Sequence, residues 1–229
     1  MKFITDYYAS SIGKKWIVAL TGLVLIAYVI GHLIGNLQIY ISPDQINWYG
    51  EKLHSLGPLL WLVRVFLLAC FVVHILTTVL LAVENREARP EHYELKRNIR
   101  TTSAARTMVV SGLIVLCFVI YHLIQFTIRP ESLGIKSYTL PSGKNDVYTM
   151  VVSGFLNPYA TAFYIIGLFL LCMHLSHGFS SVLQTLGLNS RKTMHYLEVG
   201  GAVLAWLIFA GYTSIPVSVA LGLLKLKQP

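Results

Sequence analysis

Four histidines lie inside long apolar stretches of the sequence, one in each of the first four such stretches. They are His32, His74, His122 and His174. An ionisable side chain inside a membrane is costly unless it is paired or ligated, which makes it a functional candidate by default. A single histidine of this kind is most simply explained by a structural hydrogen bond. Four of them in consecutive segments favour a common function.

The depth of each histidine follows from its position along its segment, because a helix rises ~1.5 Å per residue. His32 and His122 both fall about 6 Å from the middle of their segments, toward the side taken as the outer face. His74 and His174 both fall about 5 Å toward the opposite, inner face. The sequence therefore predicts two depth-matched pairs, His32 with His122 and His74 with His174.

Depth-matched pairs are what a bis-histidine haem requires, since its two imidazoles bind one iron from opposite faces of the porphyrin. A zinc site would bring three or four ligands to one depth, and a proton relay would include carboxylates, which the cores of these segments lack. No Cys-x-x-Cys-His string is present, so a haem would be held without thioether bonds. Two haems at different depths imply electron transfer across the membrane.

The elements that must carry these histidines are membrane-spanning helices. Of the 229 residues 55% are apolar or aromatic and only 12% are charged, against roughly 25% charged in a soluble domain. We predict an all-α membrane protein in which five transmembrane helices form one haem-binding bundle, a single domain covering residues 1–229. The five predicted spans cover about residues 16–40, 58–83, 107–128, 158–183 and 199–221. No internal repeat is predicted.

The distribution of basic residues predicts the orientation of the bundle. The formal net charge of +8 is interpreted as a membrane-orientation signal rather than as a nucleic-acid surface. Eleven basic residues fall on the side of the N-terminus: Lys2, Lys14, Lys15, Arg86, Arg89, Lys96, Arg97, Arg100, Arg106, Arg191 and Lys192. Seven fall on the other side: Lys52, Arg64, Arg129, Lys136, Lys144, Lys225 and Lys227. The expected location is the cytoplasmic (inner) membrane, with the N-terminus in the cytoplasm and the C-terminus outside.

Small and polar residues share helix faces with two of the histidines. On the first span these are Thr21, Tyr28, Gly35 and Asn36, and on the fourth span Gly167, Gly178 and Ser181. Such faces leave room for a flat macrocycle, or they simply let helices pack closely. Between the spans, residues 84–106 have the mixed charge of a docking surface or a solvated loop, and the apolar residues 148–156 are expected along the membrane interface.

Several motifs resemble the five-span, dihaem cytochrome b membrane-anchor subunit of succinate dehydrogenase and fumarate reductase (succinate:quinone oxidoreductase). The resemblance covers nearly the whole chain. Its most specific pieces are Ser10-Ser11-Ile12-Gly13-Lys14-Lys15, Ala19-Leu20-Thr21-Gly22, Gly31-His32-Leu33 with Asn36 and Gln38, Lys52-Leu53-His54-Ser55-Leu56, Tyr121-His122, and His174-Leu175-Ser176-His177-Gly178 followed by Gln184 and Gly187.

The resemblance implies which histidines bind iron. His32 and His122 would hold the outer haem b, and His74 and His174 the inner one, the pairing that the depths predict. His177 is the alternative ligand on the fourth span, or a partner for a haem propionate. Gly35 and Gly178 are expected beside the haems.

The resemblance also implies partner subunits and a quinone. A flavoprotein with FAD and an iron–sulfur protein would dock on the cytoplasmic face, and the quinone, menaquinone by resemblance, would bind near the outer haem. Glu51 and His54 are the titratable candidates there, with solvated loop residues as the plain alternative. The chain itself would carry out no chemistry on succinate. The direction, succinate oxidation or fumarate reduction, is not encoded in these residues.

Other basic residues have more than one explanation. Arg64 either reaches the headgroups or pairs with a propionate of the outer haem. Lys14, Lys15 and Arg106 would serve the inner haem or the iron–sulfur protein. Two other functions stay open: a dihaem anchor of another quinone-linked enzyme (hydrogenase, formate dehydrogenase or nitrate reductase), and a haem-free transporter or channel.

Overall fold

The computed structural model describes residues 8–88, 106–190 and 192–226. Within these ranges it contains seven α-helices: α1 (Ser11–Leu37), α2 (Pro43–His54), α3 (Pro58–Glu87), α4 (Met108–Leu123), α5 (Val147–Phe155), α6 (Pro158–Thr185) and α7 (Met194–Ala220). Five of them, α1, α3, α4, α6 and α7, are long and apolar enough to cross a membrane. The predicted all-α, multi-pass membrane fold is thus confirmed. The first and last spans begin about five residues earlier than predicted.

Caps and prolines set where the helices begin. The side chain of Ser10 accepts a hydrogen bond from the Gly13 amide at 3.0 Å, and Ser42 and Asp146 cap α2 and α5 in the same way. Such caps satisfy amides that have no partner within the helix. Helices α2, α3 and α6 begin with a proline, whose missing amide is not needed at the first helical position.

The middle of the bundle lies around α6 and α7, which pack against each other along their length and receive α1 and α4 at their sides. Two apolar clusters fill the space between them, one in the outer half around Phe118, Val152 and Tyr164, the other around Ile26, Cys172 and Ala205. Helix α3 lies at the periphery and contacts chiefly α1. In its most apolar stretch only 6% of residues are buried, against 39% in α6, as suits a helix that faces lipid on most sides.

Short helices between the spans form an outer cap on the bundle. Helix α5 buries Tyr148, Val151, Val152 and Phe155 against the spans, so its apolar face is turned to the bundle, and the position of residues 148–156 along the membrane interface stays a prediction. Helix α2 lies against α5. Two polar links join these loops: the Asn47 amide donates to Asp146 at 3.1 Å, and the Tyr148 amide donates to the Asn47 side chain at 2.9 Å.

An ion pair closes the inner end of the bundle. Lys14 is 5% exposed, forms a salt bridge with Glu84 at the end of α3, and also donates to the carbonyl of Ala9 at 3.2 Å. Within the described residues this lysine therefore ties α1 to α3. Most of the predicted cytoplasmic docking surface, residues 89–105, lies outside the described part of the chain.

The contact between α4 and α6 depends on the glycine at position 167. A Cβ atom at Gly167 would overlap the ring of Phe118 on α4. We expect Gly167→Ala to lower the stability of the bundle by about 1–3 kcal/mol, the usual cost of overpacking, measured as a lower unfolding temperature in detergent.

Gly200→Ala is the matched control, because a Cβ at the exposed Gly200 of α7 meets no atom within 4 Å. An unfolding temperature of Gly167→Ala equal to that of the control would contradict this account of the α4–α6 contact.

Candidate functional site

The outer pair of histidines is brought together by α1 and α4. The ring centroids of His32 and His122 are 5.9 Å apart, and the ring planes are close to perpendicular at 83°. Imidazole nitrogens bound to one metal atom lie about 4 Å apart, since each bond is roughly 2 Å long. The separation of the two rings is therefore compatible with shared binding of one metal atom.

Aromatic rings surround the outer pair. Tyr28 stacks on His32 at 5.5 Å, and Phe126 lies 5.7 Å from His122. The hydroxyl of Tyr164 is 3.2 Å from Nδ1 of His122, and either group can be the donor. These rings provide flat surfaces of the kind against which an aromatic macrocycle packs.

The second polar contact of the outer pair is made within α1. The amide nitrogen of Asn36 donates to the backbone carbonyl of His32 at 2.7 Å and lies 3.3 Å from Nε2 of the same residue. An amide nitrogen only donates, so Nε2 is the acceptor in this arrangement. The His32 ring has to turn, or the amide has to move, before Nε2 can bind a metal.

Of the inner pair, His74 lies against α1. Its Nδ1 is 3.1 Å from the hydroxyl of Thr21. A Cβ atom at the neighbouring Gly22 would stand 3.3 Å from Cε1 of the ring. The Thr21 hydroxyl and the space beside Gly22 thus let the His74 ring pack directly against the neighbouring helix.

The other inner histidine, His174, lies against α4 in the same way. Its Nδ1 is 3.3 Å from the hydroxyl of Ser111, and a Cβ at Gly112 would stand 3.3 Å from its Cε1. Ser111 is buried, with 4% of its surface exposed. Each inner histidine thus packs against a hydroxyl residue and the glycine that follows it, Thr21-Gly22 on α1 or Ser111-Gly112 on α4.

The candidate ligands do not form a larger metal cluster within the described residues. No group of three or more His, Cys, Asp and Glu side chains converges there. The predicted zinc alternative needs three or four such ligands, whereas a haem needs two, because the porphyrin nitrogens occupy the remaining positions. Two imidazoles per site, apolar walls and small residues beside the rings fit a bis-histidine haem.

Three further predicted haem-site residues have different surroundings. His177 is half-buried on α6, one turn beyond His174, and its carbonyl accepts from Ser180. A Cβ at Gly178 would meet no atom within 4 Å, and its place beside a haem stays a prediction. Gly35 instead makes room for Tyr49 of α2, since a Cβ there would lie 2.7 Å from the tyrosine ring.

The predicted outer cation and quinone residues lie at the surface. The guanidinium of Arg64 is 5.1 Å from the ring centroid of Trp61 in an exposed cation–π contact. Glu51 forms an exposed ion pair with Lys144 of the second outer loop, and the exposed His54 is the last residue of α2. Their roles toward a propionate or a quinone stay predictions.

The structure adds residues that the sequence alone did not single out: Ser111, Gly112, Tyr164 and Tyr212. For Ser111 and Gly112 a signal is present in the sequence. Residues 21–32 and 111–122 align without gaps and share five residues, Gly22/Gly112, Leu23/Leu113, Val29/Val119, Ile30/Ile120 and His32/His122. This similarity is confined to twelve residues and is too short and too apolar to stand out without the contacts.

In comparisons with known proteins, no family model, no curated protein and no solved structure matches this chain.

The outer cap over this site depends on the side chain of Asn47. Truncating it in Asn47→Ala leaves the buried amide of Tyr148 without its acceptor, at a cost of about 1–3 kcal/mol. We expect faster amide hydrogen exchange throughout α5, measured by mass spectrometry in detergent.

Ser55→Ala serves as the control, since it removes only an exposed hydrogen bond to the Lys52 carbonyl at the end of α2. Exchange in α5 that is as slow in Asn47→Ala as in the control would rule out this role for Asn47.

Proposed function

We propose that this chain is a dihaem cytochrome b that anchors a succinate:quinone oxidoreductase in the membrane. The observations that support the proposal are that His32 lies beside His122 and that His74 and His174 each lie against a hydroxyl of a neighbouring span. His32 and His122 would hold the outer haem b, and His74 and His174 the inner one. The haems would supply one-electron transfer.

The protein residues have three tasks in this function. The imidazoles provide the axial ligands, and the hydroxyls of Thr21 and Ser111 orient the inner two. The aromatic residues Tyr28 and Phe126 shield the outer pair from water. Shielding matters because burial and solvent access tune the potential of a redox group.

The distance between the two sites supports transfer across the membrane. On α1, eleven positions separate Thr21, which contacts an inner histidine, from His32 of the outer pair. Eleven residues of helix span about 16 Å, roughly half the ~30 Å hydrocarbon thickness. Two redox groups at these two depths would divide electron transfer across the membrane into shorter steps.

The partners and the substrate are part of the same proposal. A flavoprotein with FAD and an iron–sulfur protein would carry the succinate and fumarate chemistry on the cytoplasmic side. A quinone, menaquinone by the resemblance of the motifs, would exchange electrons near the outer haem, where Glu51 and His54 are the candidate proton-exchanging groups. Both are exposed on α2, which is compatible with proton exchange with solvent.

The test is a reduced-minus-oxidised absorption spectrum of the purified full-length protein, with haem quantified per chain. We expect two low-spin b haems in the wild type. His32→Ala and His122→Ala should each affect the same haem, and His74→Ala and His174→Ala the other, because each substitution removes one of two axial ligands.

His195→Ala is the matched control, since His195 is exposed at the start of α7 and should leave both haems in place. A wild-type protein without haem would overturn the proposal and favour the transporter. Loss of the same haem in His32→Ala and His74→Ala would overturn the pairing. Co-purifying subunits distinguish a succinate:quinone oxidoreductase from other quinone-linked enzymes.

A further inference from the structure

Two spans of the bundle carry the same sequence pattern, a hydroxyl residue followed by a glycine and, further along, a histidine. In α1, Thr21-Gly22 precedes His32, and in α4, Ser111-Gly112 precedes His122. The hydroxyl residue and the histidine are eleven positions apart in both helices, which is about three turns at 3.6 residues per turn. They therefore project from nearly the same face of their helix. An aromatic residue, Tyr28 or Phe118, stands four positions before each histidine.

The two patterns make the same contacts with the rings of His74 and His174. The Thr21 and Ser111 hydroxyls lie 3.1 and 3.3 Å from Nδ1 of His74 and His174. Each adjacent glycine approaches the same ring carbon, Cε1, with 3.3 Å from the position that its Cβ would take. A shared sequence pattern with shared contacts to two different histidines indicates a common task rather than incidental packing.

The carbonyl contact of each hydroxyl favours a proton on Nδ1 of the neighbouring histidine. Thr21 donates to the carbonyl of Ile17 at 2.7 Å, and Ser111 donates to the carbonyl of Met108 at 3.1 Å. A hydroxyl has a single proton to donate, so its oxygen acts as acceptor toward the histidine. The ring then donates from Nδ1, and its Nε2 keeps a free lone pair. This is the tautomer that binds a metal through Nε2.

We propose that Thr21 and Ser111 are positioning residues that hold His74 and His174 in the Nδ1-protonated form, with Nε2 presented to the inner haem iron. This inference rests on the proposed function. A hydrogen bond from the second ring nitrogen fixes ring orientation and raises the basicity of a metal-bound imidazole. A more basic ligand favours ferric iron, so removing either hydroxyl should raise the midpoint potential of the inner haem and leave the outer haem unchanged.

The test is a redox titration of the full-length protein followed at the haem absorption bands. Thr21→Val and Ser111→Ala remove one hydroxyl each, whereas Thr21→Ser keeps the acceptor and should restore the wild-type potential. In Thr21→Val and Ser111→Ala we expect a tenfold weaker preference of the inner haem for ferric iron. For a one-electron couple this corresponds to an upward shift of about 59 mV in the midpoint potential.

Thr78→Val is the matched control, because the Thr78 hydroxyl donates to the backbone carbonyl of His74 at 2.7 Å and not to its ring. Its inner-haem potential should equal that of the wild type. Loss of the inner haem from Thr21→Val but not from Thr21→Ser would also support the proposal. If Thr21→Val does not accumulate, Ser111→Ala makes the same test by removing one oxygen atom.

Two results would overturn the inference. One is an unchanged inner-haem potential in Thr21→Val and Ser111→Ala, and the other is an equal shift in Thr78→Val. Either result, obtained on protein that contains two haems, leaves the proposed function standing. A wild-type protein without haem would instead contradict the proposed function, so the two failures are distinguishable.

Discussion

An imidazole ring in hydrocarbon needs a partner for its polar nitrogens, and this need links the spans that carry the four histidines. Three of the rings find a hydroxyl on another helix: His74 on α1, His174 on α4 and His122 on α6. These contacts join α3 to α1 and α4 to α6. Without a hydrophobic driving force between helices in lipid, such polar contacts and close packing determine which helices associate. The groups suited to ligand binding therefore also help to hold the bundle together.

Small residues make these contacts possible. Gly22 and Gly112 let an imidazole lie directly against a helix backbone, and Gly167 does the same for the ring of Phe118. Since a side chain at any of the three would meet its neighbour within 3.3 Å, the positions of the rings depend on residues that have no functional group. The small residues thus serve helix packing and the placement of the rings at the same time. The glycines allow close packing, and close packing orients the histidines.

The spans could be predicted because they depend on a quantity that is local in sequence, namely the length of an apolar run. The contacts between helices could not be predicted in this way. Thr21 and His74 are 53 positions apart and Ser111 and His174 are 63 apart, and no periodicity within one helix tells which neighbour it faces. The packing of α5 could not be predicted for a related reason: this helix is too short to span, and its apolar face predicts burial without distinguishing lipid from protein.

The two histidines of the inner pair lie on helices, α3 and α6, that make few direct contacts with each other. Helix α3, with His74, packs chiefly on α1, whereas His174 sits on the α4–α6 side, and α3 contacts α4 far less than it contacts α1. A group that binds both imidazoles would therefore bridge the most peripheral span to the middle of the bundle. The outer pair likewise joins two helices, α1 and α4, that make few direct contacts, although the rings of His32 and His122 lie 5.9 Å apart. Both proposed haems would therefore link helices that the chain itself connects only weakly.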